Sequence, residues 1–296
     1  MRRPPYWQCE RMERVEAAMR RGFVDLPHGQ AHWRGGGADN GMPLLLLHKA
    51  PFAAATLLPL MHRLGTTRPV LAPDLPGCGD SEPLPMPAPT IADFADAVLR
   101  VLDARGLGQV DVYGAHSGAR VAAHLAVHHP GRVRSVVLDG FGLTPLTDEA
   151  AILRHAPDVV LDTQGQAMMW LWHFVRDQHV FAPWYARDAA HRRPRGLPDA
   201  ETLHARFVET AQAATTWQRL YRAALRTDMA ALAPRIAQRL MLLYARDDSV
   251  FAQFEAARAL LPHAAAHATD GHATPQAADA TAALIENFLT QQGCQA

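Results

Sequence analysis

A histidine bracketed by glycines is the residue of this chain best placed for chemistry. His116 lies between Gly114 and Gly118, after an apolar segment of strand length and before a segment of helical character. A strand, a tight turn and a helix in this order lift one side chain above the edge of a sheet. Imidazole has an ordinary pKa of about 6.5, so at neutral pH it can act as a nucleophile or as a general base.

Two later segments supply further residues of catalytic type. Asp248 comes just after the apolar run 242–244, and a carboxylate past the end of a strand can orient an imidazole. His272 follows a glycine in a loop before the last predicted helix. We therefore expect Asp248 to hold His272, and the two histidines to face one cavity and titrate together. Asp247 and Asp139 are weaker candidates for the acid.

Ser117 follows His116 in this strand–turn–helix segment, called the elbow below, and has two alternative roles. A turn shifted by one position would make Ser117 the nucleophile, although alanines rather than glycines would then flank it. With His116 at the tip, the backbone N–H of Ser117 opens the helix and can face a developing oxyanion. The second donor would be the N–H of Ala50, because Pro51 has none. Lys49 would either add charge beside the site or point to solvent.

The elements that would position these residues alternate between strand and helix. Runs that predict strands lie at 23–26, 31–34, 43–47, 69–72, 110–113, 133–138 and 239–244, and helical spacing is found at 57–64, 91–107, 117–129, 250–261 and 280–289. This alternation predicts an α/β fold with a mostly parallel central sheet flanked by helices. The glycine-rich stretch 35–41 predicts a flexible loop.

A long helical block interrupts this alternation and divides the chain. We expect a core of residues 22–142 and 233–296, a helical cap of residues 143–232 lying over the sheet, and an N-terminal helical extension of residues 1–21, where the spacing at 11–21 is amphipathic. The cap is rich in aromatic residues. We expect an apolar pocket between cap and sheet edge, lined by Lys49, Trp170, His173, Phe174 and Trp184.

Composition narrows the classes of function. Apolar residues make up 49% of the 296 residues, and 29 basic residues balance 29 acidic ones, so neither nucleic acid nor a membrane is an expected partner. The three cysteines form no disulfide or metal pattern and favour a reduced, cytoplasmic setting. His124 and His128 have a spacing that can bind a metal, but no third ligand is in register. We expect no metal and no cofactor.

Three motifs carry a resemblance to a known family. The segments 29–34 (an early hairpin), 72–81 (Asp74-Leu-Pro-Gly77-Cys-Gly79-Asp-Ser81) and 129–133 (His-Pro-Gly-Arg-Val) resemble those of cap-bearing α/β-hydrolases of the epoxide-hydrolase and C–C-hydrolase type, from Phe23 to Leu289. The order of elbow, acid and histidine is also that of the family. The resemblance places the nucleophile fourteen residues before Pro130, and His116 stands there instead of the usual serine.

This resemblance implies a function for the chain. We expect a cofactor-independent hydrolase that cleaves an ester, thioester, lactone or C–C bond of a small apolar or aromatic molecule through His116, Asp248 and His272. One alternative is a lyase, cyclase or isomerase that uses His116 as general base. Another is a ligand-binding derivative without catalysis. The partner is then a small-molecule substrate, and a homodimer is left open.

Overall fold

In the part of the chain that the structure describes, the sheet has eight strands in the order β1-β2-β4-β3-β5-β6-β7-β8. A computed structural model describes residues 18–193 and 196–291. The strands are β1 (Met19–Leu26), β2 (Gly29–Gly37), β3 (Leu44–Leu47), β4 (Pro69–Pro73), β5 (Val110–Ala115), β6 (Val133–Asp139), β7 (Arg239–Ala245) and β8 (Ala265–Thr269). β2 is antiparallel to both of its neighbours, and the other pairings are parallel. The predicted α/β fold is confirmed.

Helices connect the parallel strands and cover both faces of the sheet. They are α1 (Leu58–Leu64), α2 (Ile91–Ala104), α3 (Ser117–His128), α4 (Glu149–His155), α5 (Gln166–Val180), α6 (Ala200–Gln212), α7 (Trp217–Arg226), α8 (Met229–Leu232), α9 (Phe254–Leu260) and α10 (Pro275–Thr290). The fully buried strand β3 shows why both faces are apolar. Leu45 and Leu47 pack in the cluster that includes α2 and α3, whereas Leu44 and Leu46 pack with α1 and α10.

Several predicted boundaries were wrong. The residues Gly35–Gly37 are not a loop but the end of β2, which pairs with β1 and β4. Strand β8 was not predicted because its alanine-rich sequence has Thr269 as its single β-branched residue, and such residues usually mark strands. The predicted N-terminal helix at 11–21 lies mostly outside the described residues, and its last part, from Met19, belongs to β1.

Helices α4–α8 lie between β6 and β7 in the sequence and pack onto the loop after β4. Thr216 donates a hydrogen bond to the carbonyl of Gly77 at 2.6 Å, and Arg219 donates to that of Leu84 at 2.9 Å. The predicted limits of core, cap and N-terminal extension stay a prediction. In the described part of the chain, none of the helices is long and apolar enough to cross a membrane.

The buried carboxylate of Asp74 organises the loops that flank the sheet edge. It accepts hydrogen bonds from the backbone N–H of Ala54 at 2.7 Å and of Asp80 at 3.0 Å, and it pairs with His32 Nδ1 at 2.8 Å. His32, Asp74 and Asp80 are close enough together to hold a metal ion. The Asp74 oxygens are already occupied by N–H donors, so this cluster is better explained as a structural link between loops.

The opposite end of β5 is anchored by a buried ion-pair network. The Asp111 carboxylate is fully buried and lies 2.9 Å from Arg134 Nε and 3.3 Å from Arg68 Nη1. Arg68 is also buried and pairs with Glu286 of α10 at 2.8 Å. The network joins β5, which carries the elbow, to β6 and α10.

Removing the Asp111 carboxylate is therefore expected to destabilise the whole sheet. Asp111→Ala should lower the free energy of unfolding by about 3 kcal/mol, because it leaves buried charge without its partner. Asp103→Ala is a control, since Asp103 is 64% exposed in its pair with Arg132 and should contribute less than about 1 kcal/mol. Urea unfolding of both variants tests this. Equal losses in the two variants would contradict it.

Candidate active site

The turn between β5 and α3 has its strained residue at His116. This histidine has φ 48° and ψ −106°, and it is the one non-glycine residue with positive φ in the described part of the chain. A Cβ atom at Gly114 would lie 2.4 Å from the Gly118 carbonyl oxygen, so this close approach of the backbone requires glycine. The structure thus places His116, not Ser117, at the tip of the turn, and Ser117 is buried.

Backbone hydrogen bonds hold this turn from two sides. The His116 N–H donates to the carbonyl of Asp139 at the end of β6, at 2.8 Å. The buried guanidinium of Arg120 donates to the carbonyls of His116 and Gly142, each at 3.1 Å. Arg120 therefore ties the elbow to the segment that leads from β6 into the helical insertion.

Asp248 pairs with His116 and not with His272, so the expected pairing was wrong. Asp248 Oδ2 lies 2.8 Å from His116 Nε2, and Oδ1 accepts the N–H of Val250 at 3.0 Å. Burial alone would raise the pKa of Asp248, but the charge and hydrogen bond of His116, with the charge of Lys49, hold it well below its usual range. An ionised carboxylate only accepts hydrogen bonds.

This pairing fixes the state of the His116 ring. Because Asp248 only accepts, His116 Nε2 must carry the proton that is donated. In the neutral ring Nδ1 then has the free lone pair, and it has no hydrogen-bond partner among residues 18–193 and 196–291. His116 and Asp248 thus form a dyad in which a carboxylate orients an imidazole base.

His272 makes no hydrogen bond to this dyad in the described residues. Its Nδ1 atom is buried without a hydrogen-bond partner in the described part of the chain. Burial, followed by the charges of Lys49, Arg206 and His116, lowers its pKa to about 4, so the ring is neutral at pH 7. The length of the side chain explains this difference from the prediction. The imidazole of His116 extends from the elbow to Asp248 and takes the hydrogen bond that was predicted for His272.

A second carboxylate lies buried beneath the dyad. Asp139 is 8% exposed and accepts the hydroxyl of Tyr113 at 2.5 Å. Burial raises its pKa to about 6, against the opposing effects of the Tyr113 hydrogen bond and the charge of His116. Of the candidate acids, Asp248 hydrogen bonds to the His116 side chain, whereas the Asp139 carboxylate accepts from Tyr113.

The expected oxyanion donors are only partly available. The N–H of Ala50 donates to Ser117 Oγ at 2.8 Å, so the serine hydroxyl occupies the donor that was predicted to face a substrate. The side chain of Ser117 can fill this place because it is buried directly beneath the turn. His48, the first residue after β3, accepts the N–H of Leu75 at 2.8 Å and is a buried structural residue.

The dyad faces a cavity of about 420 Å³ between the strand ends and the helical insertion. Of the predicted pocket residues, Lys49 and Trp184 line it, so Lys49 faces the site. Trp170, His173 and Phe174, which were also predicted, do not line this cavity. Phe174 is buried and stacks between Trp170 and Trp217 in the packing of the helices.

Polar side chains outnumber apolar ones around this cavity, contrary to the predicted apolar pocket. The lining residues are Lys49, Ala50, His116, Ser117, His155, Gln178, Phe181, Ala182, Pro183, Trp184, Arg193, Tyr221, Asp248 and Ser249. The contributions of His155, Gln178, Arg193 and Tyr221 were not predicted. They come from helices and loops of the insertion, where no local pattern distinguishes a lining residue from a packed one.

Comparison with known proteins assigns the family. The family model described as alpha/beta hydrolase fold matches residues 55–273. The chain belongs to this α/β-hydrolase family. The family resemblance predicted from the sequence motifs is therefore confirmed, and the elbow, acid and histidine segments lie within this match.

Curated proteins named as a hydrolase and an esterase resemble the chain over part of its length. It is 38% identical over 104 residues to 2-hydroxymuconate semialdehyde hydrolase of Pseudomonas sp. (strain CF600), which is 34% of this chain and 36% of that protein. It is 44% identical over 79 residues to pimeloyl-[acyl-carrier protein] methyl ester esterase of Neisseria meningitidis serogroup B (strain MC58), or 27% of this chain and 28% of that protein. The matches thus span about a third of these curated relatives.

Solved α/β-hydrolase structures share the fold over nearly the whole chain. The enol-lactonase from Burkholderia xenovorans LB400 superposes with a TM-score of 0.71 at 20% identity, covering 91% of this chain and 100% of that one. Epoxide Hydrolase A from Mycobacterium thermoresistibile also gives 0.71 at 20% identity, covering 94% and 100%. At this level of identity the likeness shows the fold alone.

The raised pKa of Asp139 gives a testable pH dependence in this α/β-hydrolase. An acid whose pKa rises on folding from 3.8 to about 6 holds its proton more tightly when folded, so its ionisation lowers stability as the pH rises through that interval. The free energy of unfolding of Asp139→Asn minus that of wild type should therefore be larger at pH 7 than at pH 4, by up to about 3 kcal/mol. Urea unfolding at both pH values measures this difference. Parallel pH dependences of wild type and variant would contradict it.

Proposed function

We propose that this chain is a cofactor-independent hydrolase that cleaves an ester, thioester, lactone or C–C bond next to a carbonyl group. His116 acts as the base, and Asp248 orients it. The observation that carries the proposal is the 2.8 Å hydrogen bond between His116 Nε2 and Asp248 Oδ2 beside the cavity. This bond leaves Nδ1 of His116 available to accept a proton. An oriented imidazole of this kind contributes typically 10²–10⁴-fold, or about 3–5 kcal/mol, to a rate.

In the proposed reaction, one proton moves from water to His116 and then from His116 to the leaving group. His116 Nδ1 removes a proton from a water molecule, and the hydroxide formed attacks the carbonyl carbon. The tetrahedral intermediate collapses as the Nδ1 proton passes to the leaving oxygen, sulfur or carbon atom. Asp248 stabilises the imidazolium that exists between these two steps. Direct attack by Nδ1 is sterically less favourable, because this atom is adjacent to the substituted ring carbon and close to the backbone.

The oxyanion of the intermediate requires donors near the elbow. The N–H of Ser117 begins α3 and lies at its positive end. The N–H of Ala50 becomes available when the Ser117 hydroxyl, now 2.8 Å away, rotates from it. Lys49 lines the same cavity and adds positive charge. These groups favour the negative transition state of carbonyl hydrolysis.

The names of the relatives support this range of substrates. One is named a 2-hydroxymuconate semialdehyde hydrolase, one a methyl ester esterase, and a structural neighbour is an enol-lactonase. The polar lining of the cavity adds that the reacting end of the substrate is polar. A cytoplasmic location, a homodimeric state and the absence of nucleic-acid or membrane partners stay predictions.

A second candidate is a lyase, cyclase or isomerase with the same base. The observation that favours it is the hydrogen bond from Ala50 to Ser117, because it closes one of the two donors that ester hydrolysis uses. Abstraction of a C–H or O–H proton by His116 does not require that donor to the same degree. A role in binding alone explains the oriented base less well, since a binding protein does not need a fixed imidazole tautomer.

The dyad makes a differential prediction for three variants. His116→Ala and Asp248→Asn should each lower kcat for a p-nitrophenyl ester by about 100-fold or more, because one removes the base and the other its orientation. His272→Ala should change kcat by less than about 10-fold, since this ring does not bond to the dyad. Circular dichroism of each variant controls for folding. Loss of activity in His272→Ala equal to that in His116→Ala would overturn the assignment.

Replacing Ser117 separates the two possible nucleophile positions. Ser117→Ala frees the N–H of Ala50, so ester hydrolysis should be unchanged or raised by up to about 10-fold. A fluorophosphonate probe should leave the wild-type protein unlabelled, because the hydroxyls of the two serines that line the cavity are bonded to Ala50 N–H and to Asp248 rather than to a histidine base. Labelling at Ser117 together with complete loss of activity in Ser117→Ala would show that the serine is the nucleophile.

A further inference from the structure

The outer side of strand β1 is an open edge of the sheet. β1 pairs with β2 on its inner side over its whole length, from Met19 to Leu26. Among residues 18–193 and 196–291, no backbone hydrogen bond joins β1 to another segment on its outer side. An open edge of this length presents a row of N–H and C=O groups that a further strand can bind.

The two faces of β1 differ in character. Val24 packs against the core cluster that includes α2. Because side chains alternate along a strand, Arg21, Phe23 and Asp25 share the opposite face, which we call the β1 face. Phe23 contacts the ring of His32 on this face, with 5.3 Å between the centroids, and is nevertheless 52% exposed. A large exposed ring beside an open edge is a surface that a further strand would cover.

The charges of the β1 face are incompletely paired. Arg21 lies directly opposite Arg34 in the register of β1 and β2, and in the described part of the chain neither forms an ion pair. Like charges that face each other across two strands are unfavourable. Asp25 is exposed and accepts the amide of Gln30 through Oδ1 at 2.8 Å, so its Oδ2 can accept another donor. The face therefore offers both a cation and an anion to a partner.

A second copy of the chain matches the β1 face in one register. When two such strands pair antiparallel about a two-fold axis normal to the sheet, residues directly opposite each other point to the same side. Pairing centred on Phe23 brings the two Phe23 rings together and places Arg21 of each copy opposite Asp25 of the other. Shifting the centre to Gly22 or Val24 would instead place a charged residue opposite Phe23. The order of the three side chains is thus self-complementary in the register centred on Phe23.

We propose that β1 is the interface of a homodimer, in which the β1 strands of two copies pair antiparallel around Phe23. Two ion pairs between Arg21 and Asp25 flank the pair of Phe23 rings, and the outer backbone groups of both strands hydrogen bond to each other. The two sheets become one continuous sheet. A contact between identical surfaces closes on itself, so the assembly ends at two copies.

The dimer leaves the active sites accessible. The two-fold axis reverses the direction of the strands, so the two cavities open in opposite directions, and residues 19–26 do not line them. The interface is only one strand wide, which is typical of weak association, and we expect a Kd on the order of 10–100 µM. The dimer therefore stands or falls independently of the proposed hydrolase activity.

Reversing the two charges separately tests the pairing. Arg21→Asp and Asp25→Arg should each raise the Kd of the dimer more than about 10-fold, because like charges then meet on both sides of the axis. An equimolar mixture of the two variants should dimerise again, since each reversed residue faces an opposite charge in its partner. Sedimentation velocity from about 1 to 200 µM protein measures these values on the scale expected for the dimer.

Arg258→Asp is the matched control for these charge reversals. Arg258 is 52% exposed and belongs to α9, which connects β7 to β8 at the other end of the sheet. This variant should dimerise like wild type, and far-UV circular dichroism verifies the folding of all variants. A wild-type protein that stays monomeric, reversed variants that dimerise as wild type does, or a mixture that stays monomeric would each overturn the proposal.

Cysteine cross-linking tests the register. Phe23→Cys places the introduced thiols of the two copies opposite each other on the axis, within reach of a disulfide. Asp25→Cys, on the same face, places them roughly 13 Å apart along the strands. Mild oxidation should therefore give a covalent dimer of Phe23→Cys but not of Asp25→Cys, above the level that the native cysteines give in wild type. Equal cross-linking of the two variants would overturn the register centred on Phe23.

Discussion

The hydrogen bond between His116 and Asp248 is the interaction on which the chemistry of this fold depends. It joins a side chain at the end of β5 to one in the loop after β7, across the edge of the parallel sheet. It also accounts for the low pKa of Asp248, which burial alone would raise. A buried carboxylate stays ionised here because its charge is met by a donor in direct contact, and the same contact selects the ring tautomer with Nδ1 available.

The fold maintains this contact by constraining the backbone of the elbow rather than the ring alone. Positive φ at a histidine costs free energy, and the surrounding hydrogen bonds offset it. Asp139 accepts the His116 N–H, Arg120 binds its carbonyl, and Gly140 leaves room for the ring, since a Cβ atom there would lie 3.0 Å from Nε2. Two parts of the sequence, residues 139–140 after β6 and Arg120 of α3, thus converge on His116.

The sequence predicted the sheet and the elbow but not the pairing within the site. Leu44–Leu47 and the glycines around His116 are local patterns, and such patterns are governed by backbone sterics and burial that act over a few residues. The partner of Asp248 depends instead on how far two side chains reach across the sheet edge. The motif order suggested His272, yet a ring at position 116 is long enough to meet the acid directly. The lining residues Gln178 and Tyr221 could not be predicted either. The sequence does not show which residues of a helix in the insertion face the cavity and which pack against other helices.

The second histidine of the predicted site is kept neutral by its surroundings. Burial is the main cause that lowers the pKa of His272, and the charges of Lys49, Arg206 and His116 lower it further. Asp248 Oδ2 pairs with His116 Nε2, and in the part of the chain that the structure describes His272 Nδ1 stays buried without a hydrogen-bond partner. Histidine in place of the expected serine therefore changes more than the identity of the reacting atom. It takes over the partner of the second ring, so that two residues hold the geometry that the family motif distributes over three.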